Sequence, residues 1–253
     1  MTTSLSSLSE RDRAEVLRSA AEAKRTNLEQ VGVERYLDPP ENTAFSLEYA
    51  FYLLGDVRGK TVLDIGCGSG ENIVPLAIRG ANVIGIDISP ELVRLARKRL
   101  ANVNLRAKVK VGSAYQTGLP DGSVEAVFCM SIIHHLHVEV VRDEMRRVLA
   151  PNGRIIFKEP VRFSETYRRL RQFLPVQGDN SEYEHPLTRA ELEILTHDFR
   201  VDKMRYFRLP MVPLTERLLG RQSYRAWKAS NQILRSLPFL RTFATVCVGR
   251  MAA

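Results

Sequence analysis

No apolar run in the sequence approaches the roughly 18 to 20 residues that a bilayer-spanning helix requires, and Met1 to Arg18 has no signal-peptide-like apolar segment. Cysteine is scarce. Cys67, Cys129 and Cys247 are an odd number, form no CxxC pair and have no histidine at metal-ligand spacing, which argues against a disulfide framework or a structural zinc site. Internal repeats and low-complexity tracts are also missing, and only one tryptophan occurs in 253 residues. Between Thr61 and Ile78 there is no lysine or arginine at all. The expectation is a soluble, cytoplasmic chain without a resident metal.

What is present is a hydrophobic fraction of 44% and a charged fraction of 26%, enough for one substantial core. The net charge of +8 is unevenly placed: Arg200 to Arg250 carries eleven basic and two acidic residues, and the rest of the chain is nearly neutral. Short β-rich runs alternate with helical patterns, the signature of a mostly parallel, doubly wound sheet covered by helices. Strands are expected at Thr61 to Ile65, Asn82 to Ile86, Ala107 to Val111, Ala126 to Met130 and Arg154 to Lys158. Two more are expected at Val201 to Phe207 and Phe243 to Val248. The organisation follows: a helical cap over 1–57, a core over 58–208 and 242–253, and a basic amphipathic lid over 209–241.

The densest chemistry lies at Asp64-Ile65-Gly66-Cys67-Gly68-Ser69-Gly70, a strand passing into a loop with glycine at every second position and then a helix. Glycine permits the positive φ and the close approach that let a ligand lie against the main chain at a strand's carboxyl end. The next strand ends in Asp87, whose carboxylate can accept hydrogen bonds from two ribose hydroxyls. A dinucleotide fingerprint would have glycine where Glu71 stands, and that carboxylate opposes a pyrophosphate at the helix N-terminus.

The loop, the run Asp87-Ile88-Ser89-Pro90, Leu119-Pro120-Asp121-Gly122-Ser123, Ile132-Ile133-His134-His135-Leu136 and Leu149-Ala150-Pro151-Asn152-Gly153 together resemble the class I S-adenosylmethionine-dependent methyltransferases, in their broad small-molecule, type 11-like branch. The resemblance covers about residues 58 to 160. It implies a Rossmann-like seven-stranded sheet with an antiparallel last strand, and S-adenosylmethionine as cofactor, with S-adenosylhomocysteine as product. It implies that Gly66, Gly68 and Gly70, with Cys67 among them, line the cofactor's amino-acid and ribose parts, that Asp64 orders the loop or meets the amino group, that Asp87 binds the ribose and that Ile88 packs on adenine. Ser113 and Ala114 stand where the family often has an acidic residue for the adenine amino group. Met130 and Ser131, at the end of the fourth strand, and Tyr36, from the cap, complete the expected cofactor site.

Methyl transfer from a sulfonium requires the acceptor held in line and water excluded, and a base assists where the acceptor carries a proton. His134, His135 and Glu159 are the expected catalytic residues, with His134 first because it lies one turn from Ser131. Tyr49, Glu184, His185 and Trp227 are the expected substrate contacts. Thr188 and Glu191 form the pattern of a helix capping box. The expected function is methyl transfer to a small hydrophobic molecule, at oxygen, nitrogen, sulfur or carbon. Two alternatives are an RNA methyltransferase, disfavoured by the absence of any RNA-binding module, and a non-catalytic cofactor-binding scaffold or sensor. The basic 209–241 segment suits a lid, or peripheral contact with an anionic membrane. Nothing in the sequence selects an oligomeric state.

Overall fold

The computed structural model describes residues 10–26, 28, 32–164, 185–219 and 224–253. Seven strands form one sheet: β1 (Thr61–Ile65), β2 (Asn82–Asp87), β3 (Lys108–Val111), β4 (Val124–Met130), β5 (Leu149–Pro160), β6 (Arg200–Phe207) and β7 (Val246–Ala252). Their order is β3-β2-β1-β4-β5-β7-β6. The first five run parallel, while β7 is antiparallel to both β5 and β6. Strand order therefore reverses at β1/β4, where an open α/β sheet presents its ligand crevice at the carboxyl ends of the strands.

Helices cover both faces. On one side lie α1 (Glu10–Arg25), α2 (Glu34–Leu37), α3 (Ser46–Leu54), α4 (Ile73–Ile78) and α5 (Pro90–Asn102); on the other lie α6 (Val138–Val148) and α7 (Arg189–Thr196). The β1 and β4 strands, and β5 over Ile155–Phe157, read as largely apolar runs because both faces are buried there. Although it falls within the expected cap, α3 packs into the sheet: Phe51, Leu53 and Leu54 are buried, and Phe51 meets the Phe128 ring at 4.9 Å. Arg79 donates to the carbonyls of Phe51 (2.9 Å) and Gly55 (2.7 Å), satisfying the C-terminal end of α3.

The expected lid contains two helices, α8 (Met211–Leu219) and α9 (Tyr224–Ser236); the expected break near Gly220 lies outside the described residues. Arg225, Lys228 and Arg235 of α9 are exposed while Trp227 and Leu234 are buried, as the amphipathic spacing requires. The last strand begins later than expected. Pro238–Phe243 is a 3₁₀ helix whose Leu240 and Phe243 pack with Leu209, Leu234 and Ala244, so the apolarity at Phe243 reports this packing rather than a strand. Thr188 and Glu191 form the expected capping box at α7.

Candidate active site

Gly66 and Gly68 open the crevice for different reasons. At Gly66 φ is +67° and a Cβ would lie 2.5 Å from Ile132, so no side chain fits beneath the segment after β4. At Gly68 φ is +52° and a Cβ would meet nothing within 4 Å, which leaves the loop's outer face bare. The loop's amides turn inward. Gly66 N and Cys67 N both donate to the Ile86 carbonyl (2.8 and 3.1 Å), Gly70 N donates to Cys67 O (3.0 Å) and Gly68 N to Asp87 Oδ2 (2.9 Å). A ligand therefore gains space here more than hydrogen-bond donors, the opposite of a phosphate cradle. Cys67 lends its backbone to the turn while its thiol is buried against Gly85; burial, with Asp64 and Asp87 nearby, pushes the thiol pKa up. Arg99, which the sequence pattern does not single out, is buried on α5 and donates through Nε to Ser69 O at 2.9 Å, bracing the loop.

Asp87 holds this arrangement together. Its Oδ1 accepts from Ser89 N at 2.9 Å, and Ser89 in turn accepts from Leu92 N as the cap of α5. Asp64, by contrast, is fully buried and neither of its oxygens has a hydrogen-bond partner among the described residues. Burial first, and the Asp87 charge second, push its carboxyl well above the usual carboxylate range. An orphaned buried carboxylate beside a bare glycine loop fits a ligand that brings a cation, such as the ammonium of an amino acid.

Around the rim, Ile88, Ser113 and Ala114 are half-buried. Ser113 Oγ accepts from Tyr115 N at 3.1 Å, so its hydroxyl shapes its own turn. That turn is fixed to α6, where Thr117 N and Oγ1 both donate to Glu144 at 2.6 Å. Burial alone would raise the Glu144 pKa, but hydrogen bonds from Arg147 and Thr117 hold it at about 2. Tyr36 stacks on Phe51 (5.0 Å), within electrostatic range of Glu71 beside the loop.

At the adjacent strand ends, Glu159 of β5 is fully buried and braces the Ile133–His135 3₁₀ turn. Oε1 accepts from Ile132 N (3.0 Å) and Ile133 N (2.9 Å), while Oε2 meets His134 N (3.4 Å) and His134 Nδ1 (2.7 Å). The carboxylate thus fixes the imidazole and its backbone and lies behind them. His135, 4.0 Å from the His134 ring, contacts α1 through Glu15 (3.4 Å) and Arg18 (3.3 Å). Short-range sequence spacing could not reveal this contact across more than a hundred residues. Met130 and Ser131 are half-buried, and Ser131 has φ of +58°. Lys158 reaches it, with Nζ 2.5 Å from Ser131 Oγ, a pairing the sequence does not signal.

Residues 63–157 match a family model described as a methyltransferase domain. Those residues form a class I, S-adenosylmethionine-dependent methyltransferase domain. A demethylmenaquinone methyltransferase of Tropheryma whipplei is 34% identical over 149 residues, which are 53% of this chain and 59% of that protein. The chain therefore spans little more than half the length of that curated relative. Among solved structures, a geranyl diphosphate C-methyltransferase from Streptomyces coelicolor aligns over 96% of this chain and 98% of its own, with a TM-score of 0.63 and 12% identity. A [4+2]-cyclase aligns over 80% and 78%, with a TM-score of 0.57 and 17% identity. At such identities the structural likeness shows the fold alone, and these two proteins already span different chemistries.

The methyltransferase domain gathers Asp64, Gly66, Gly68, Asp87, Ser131, His134 and Glu159 at one sheet edge. The expected substrate contacts scatter. Tyr49 is buried against Phe207 (5.5 Å), with Arg205 over its ring at 4.9 Å. Trp227 packs on Phe45 (5.5 Å) beside Ala44 and Val212, and donates from Nε1 to Glu216 at 2.7 Å. His185 lies at the start of α7 with its ring 3.6 Å from Glu191. Glu184 falls outside the described residues.

Proposed function

We propose that this chain transfers a methyl group to a small, hydrophobic acceptor. The orphaned Asp64 carboxylate beside the bare glycine loop carries the reading, because it fits the ammonium of S-adenosylmethionine, with Asp87 at the ribose and Ile88, Ser113 and Ala114 around adenine. When bound, the cofactor supplies an electrophilic methyl on a sulfonium. Ser131 and Met130 border the place where that methyl meets its acceptor, and His134 stands beside them. Glu159 sets the imidazole through Nδ1, so Nε2 is the atom that takes a proton from an acceptor hydroxyl, amine or acidic carbon. The buried cluster of Ala44, Phe45, Val212 and Trp227, where the cap loop meets α8 and α9, is apolar, which supports a hydrophobic acceptor. Arg205 ties the cap loop to β6 through the carbonyls of Glu41 and Thr43 (2.9 Å each), and Asn231 Nδ2 ties α9 to Ala44 O (2.5 Å), contacts that support a cap and a lid acting together.

The acceptors named for the relatives, demethylmenaquinone and geranyl diphosphate, are likewise small molecules. The test is direct: calorimetry with S-adenosylhomocysteine should show saturable binding, and incubation with labelled S-adenosylmethionine and fractionated cell extract should yield a labelled small molecule. His134→Ala should cut that turnover by roughly 100-fold. Labelled RNA, or binding without any product across the fractions, would replace this reading by one of its alternatives.

Peripheral attachment to an anionic membrane belongs to the same proposal. Phe239 (71% exposed), Tyr224 (57%) and Leu237 stand out beside the exposed Arg225, Lys228, Arg235 and Arg241, a combination that suits an interfacial segment. Co-sedimentation with phosphatidylserine vesicles, and its loss with neutral vesicles, would support it.

A further inference from the structure

Lys158 is a cation placed where the methyltransferase mechanism does not call for one. It shares its register position with Met130 on β4 and Val248 on β7, and Val248 pairs in turn with Arg205 on β6, so these four residues form one row across the sheet face covered by α3. The Lys158 ammonium is partly buried, donates to Ser131 Oγ and, among the described residues, has no carboxylate within ion-pair distance. Its chain neighbour Glu159 is committed to three backbone amides and His134. The second cation that bears on Lys158 is Arg208, which itself adopts φ of +61° and lies 5.8 Å from the Trp227 ring. Glu216 partly balances Arg208 at 3.5 Å.

Ser131, the residue that holds Lys158, is also in the left-handed region, at the carboxyl end of β4 beside the β1/β4 switch point. A non-glycine residue in this region carries backbone strain that surrounding structure must sustain, and such strain concentrates at ligand-binding positions. Burial, more than any neighbour, lowers the Lys158 pKa from the ordinary lysine value. An anion placed against it would relieve that penalty.

Resting on the methyltransferase reading above, we propose that Lys158, held by Ser131 and reinforced by Arg208, is an anion subsite that binds an ionised oxygen group on the hydrophobic acceptor. A carboxylate and a phosphate ester share the required chemistry. The subsite would select acceptors that are apolar along the Phe45–Trp227 wall and charged at one end. It would also orient them, since a charge-assisted hydrogen bond at one end fixes which atom lies near His134.

The sequence's single tryptophan, Trp227, lies beside Arg208 and provides the reporter. With S-adenosylhomocysteine bound, the protein is titrated with octanoate, octyl phosphate and the neutral isostere octanamide, following Trp227 fluorescence and heat. At least one anion should bind about tenfold or more tightly than octanamide, and the tighter of the two identifies the acceptor's charged group. Lys158→Met should erase that preference while leaving octanamide affinity unchanged, and Lys158→Arg should preserve it. Equal affinities in the unmodified chain, no saturable binding of either anion, or a preference that survives Lys158→Met would each overturn the subsite. The same preparations separate this outcome from failure of the underlying reading. S-adenosylhomocysteine that binds normally while the anion preference fails removes only the subsite, whereas an unmodified chain that does not bind S-adenosylhomocysteine removes the methyltransferase reading itself.

Discussion

The two halves of the sheet edge solve opposite electrostatic problems. At β1 and β2 the loop and strand ends bring carboxylates to the crevice: Asp64 is buried with no hydrogen-bond partner among the described residues, Asp87 accepts from backbone amides, and the Arg99 guanidinium of α5 is engaged with Ser69 of the loop. At β4 and β5 the buried carboxylate is fully engaged, while Lys158 on the strand has no carboxylate within ion-pair distance among the described residues. A zwitterionic, net-cationic cofactor suits the first half and an acceptor with negative character suits the second. Charge of opposite sign on the two sides would orient the reactants before any catalytic group acts.

The comparison breaks most visibly at Glu159. Replacing it by alanine strips three backbone amides and His134 of their acceptor inside a dry site, and should lower unfolding free energy by about 3 to 5 kcal/mol. Urea denaturation measures this, and a midpoint within error of the unmodified chain would show that the 3₁₀ turn does not depend on the carboxylate. Cofactor affinity, measured on the folded fraction, should change little, since the bracing belongs to the other half.

Asp64 sharpens the contrast from the cofactor side. Asp64→Asn should weaken S-adenosylhomocysteine binding roughly tenfold or more by removing the charge that meets the ammonium. pH adds an independent signature. Because its folded-state pKa is raised, Asp64 leaves the cofactor-free protein at full stability below the ordinary aspartate value near 4, with stability lost as pH rises toward the higher folded value. The cationic ligand favours the ionised carboxylate, so affinity should increase over that same interval. The Asp64→Asn variant should lose both trends, which urea midpoints and calorimetry across the pH series would reveal.

An effect of similar size is expected at Asp87. Asp87→Ala should weaken cofactor binding by about 1 to 3 kcal/mol, because the ribose hydroxyls and Gly68 N lose their acceptor together. An unchanged dissociation constant would remove Asp87 from the ribose assignment, while octanoate binding at the Lys158 side should be untouched.

Much of the cofactor half was legible in the sequence because its elements are local. Strand, glycine loop, helix and acidic strand tip follow one another within a single β/α/β unit, so spacing alone carries their geometry. The inward-turned loop amides were not legible, since glycine content reports permissible φ and not where each N–H points. On the acceptor half, the sequence presents His134 and Glu159 as separate catalytic candidates, yet the structure puts the carboxylate behind the imidazole as its brace. Lys158 gave no signal, because a lysine near a strand end is ordinarily solvated. Arg99, Glu15 and Arg18 were equally silent, since each reaches the site from another helix.

By itself, the sequence determined the order of β and α elements, the antiparallel last strand through its resemblance, and the kind of ligand that a phosphate-averse glycine loop admits. These follow from backbone sterics and from apolar periodicity, which act over a few residues. Tertiary structure alone decided which charges are buried and which are answered. Desolvation and ion pairing depend on residues brought together across the sheet, from Glu15 beside His135 to Ser131 beside Lys158, and no local pattern encodes that proximity.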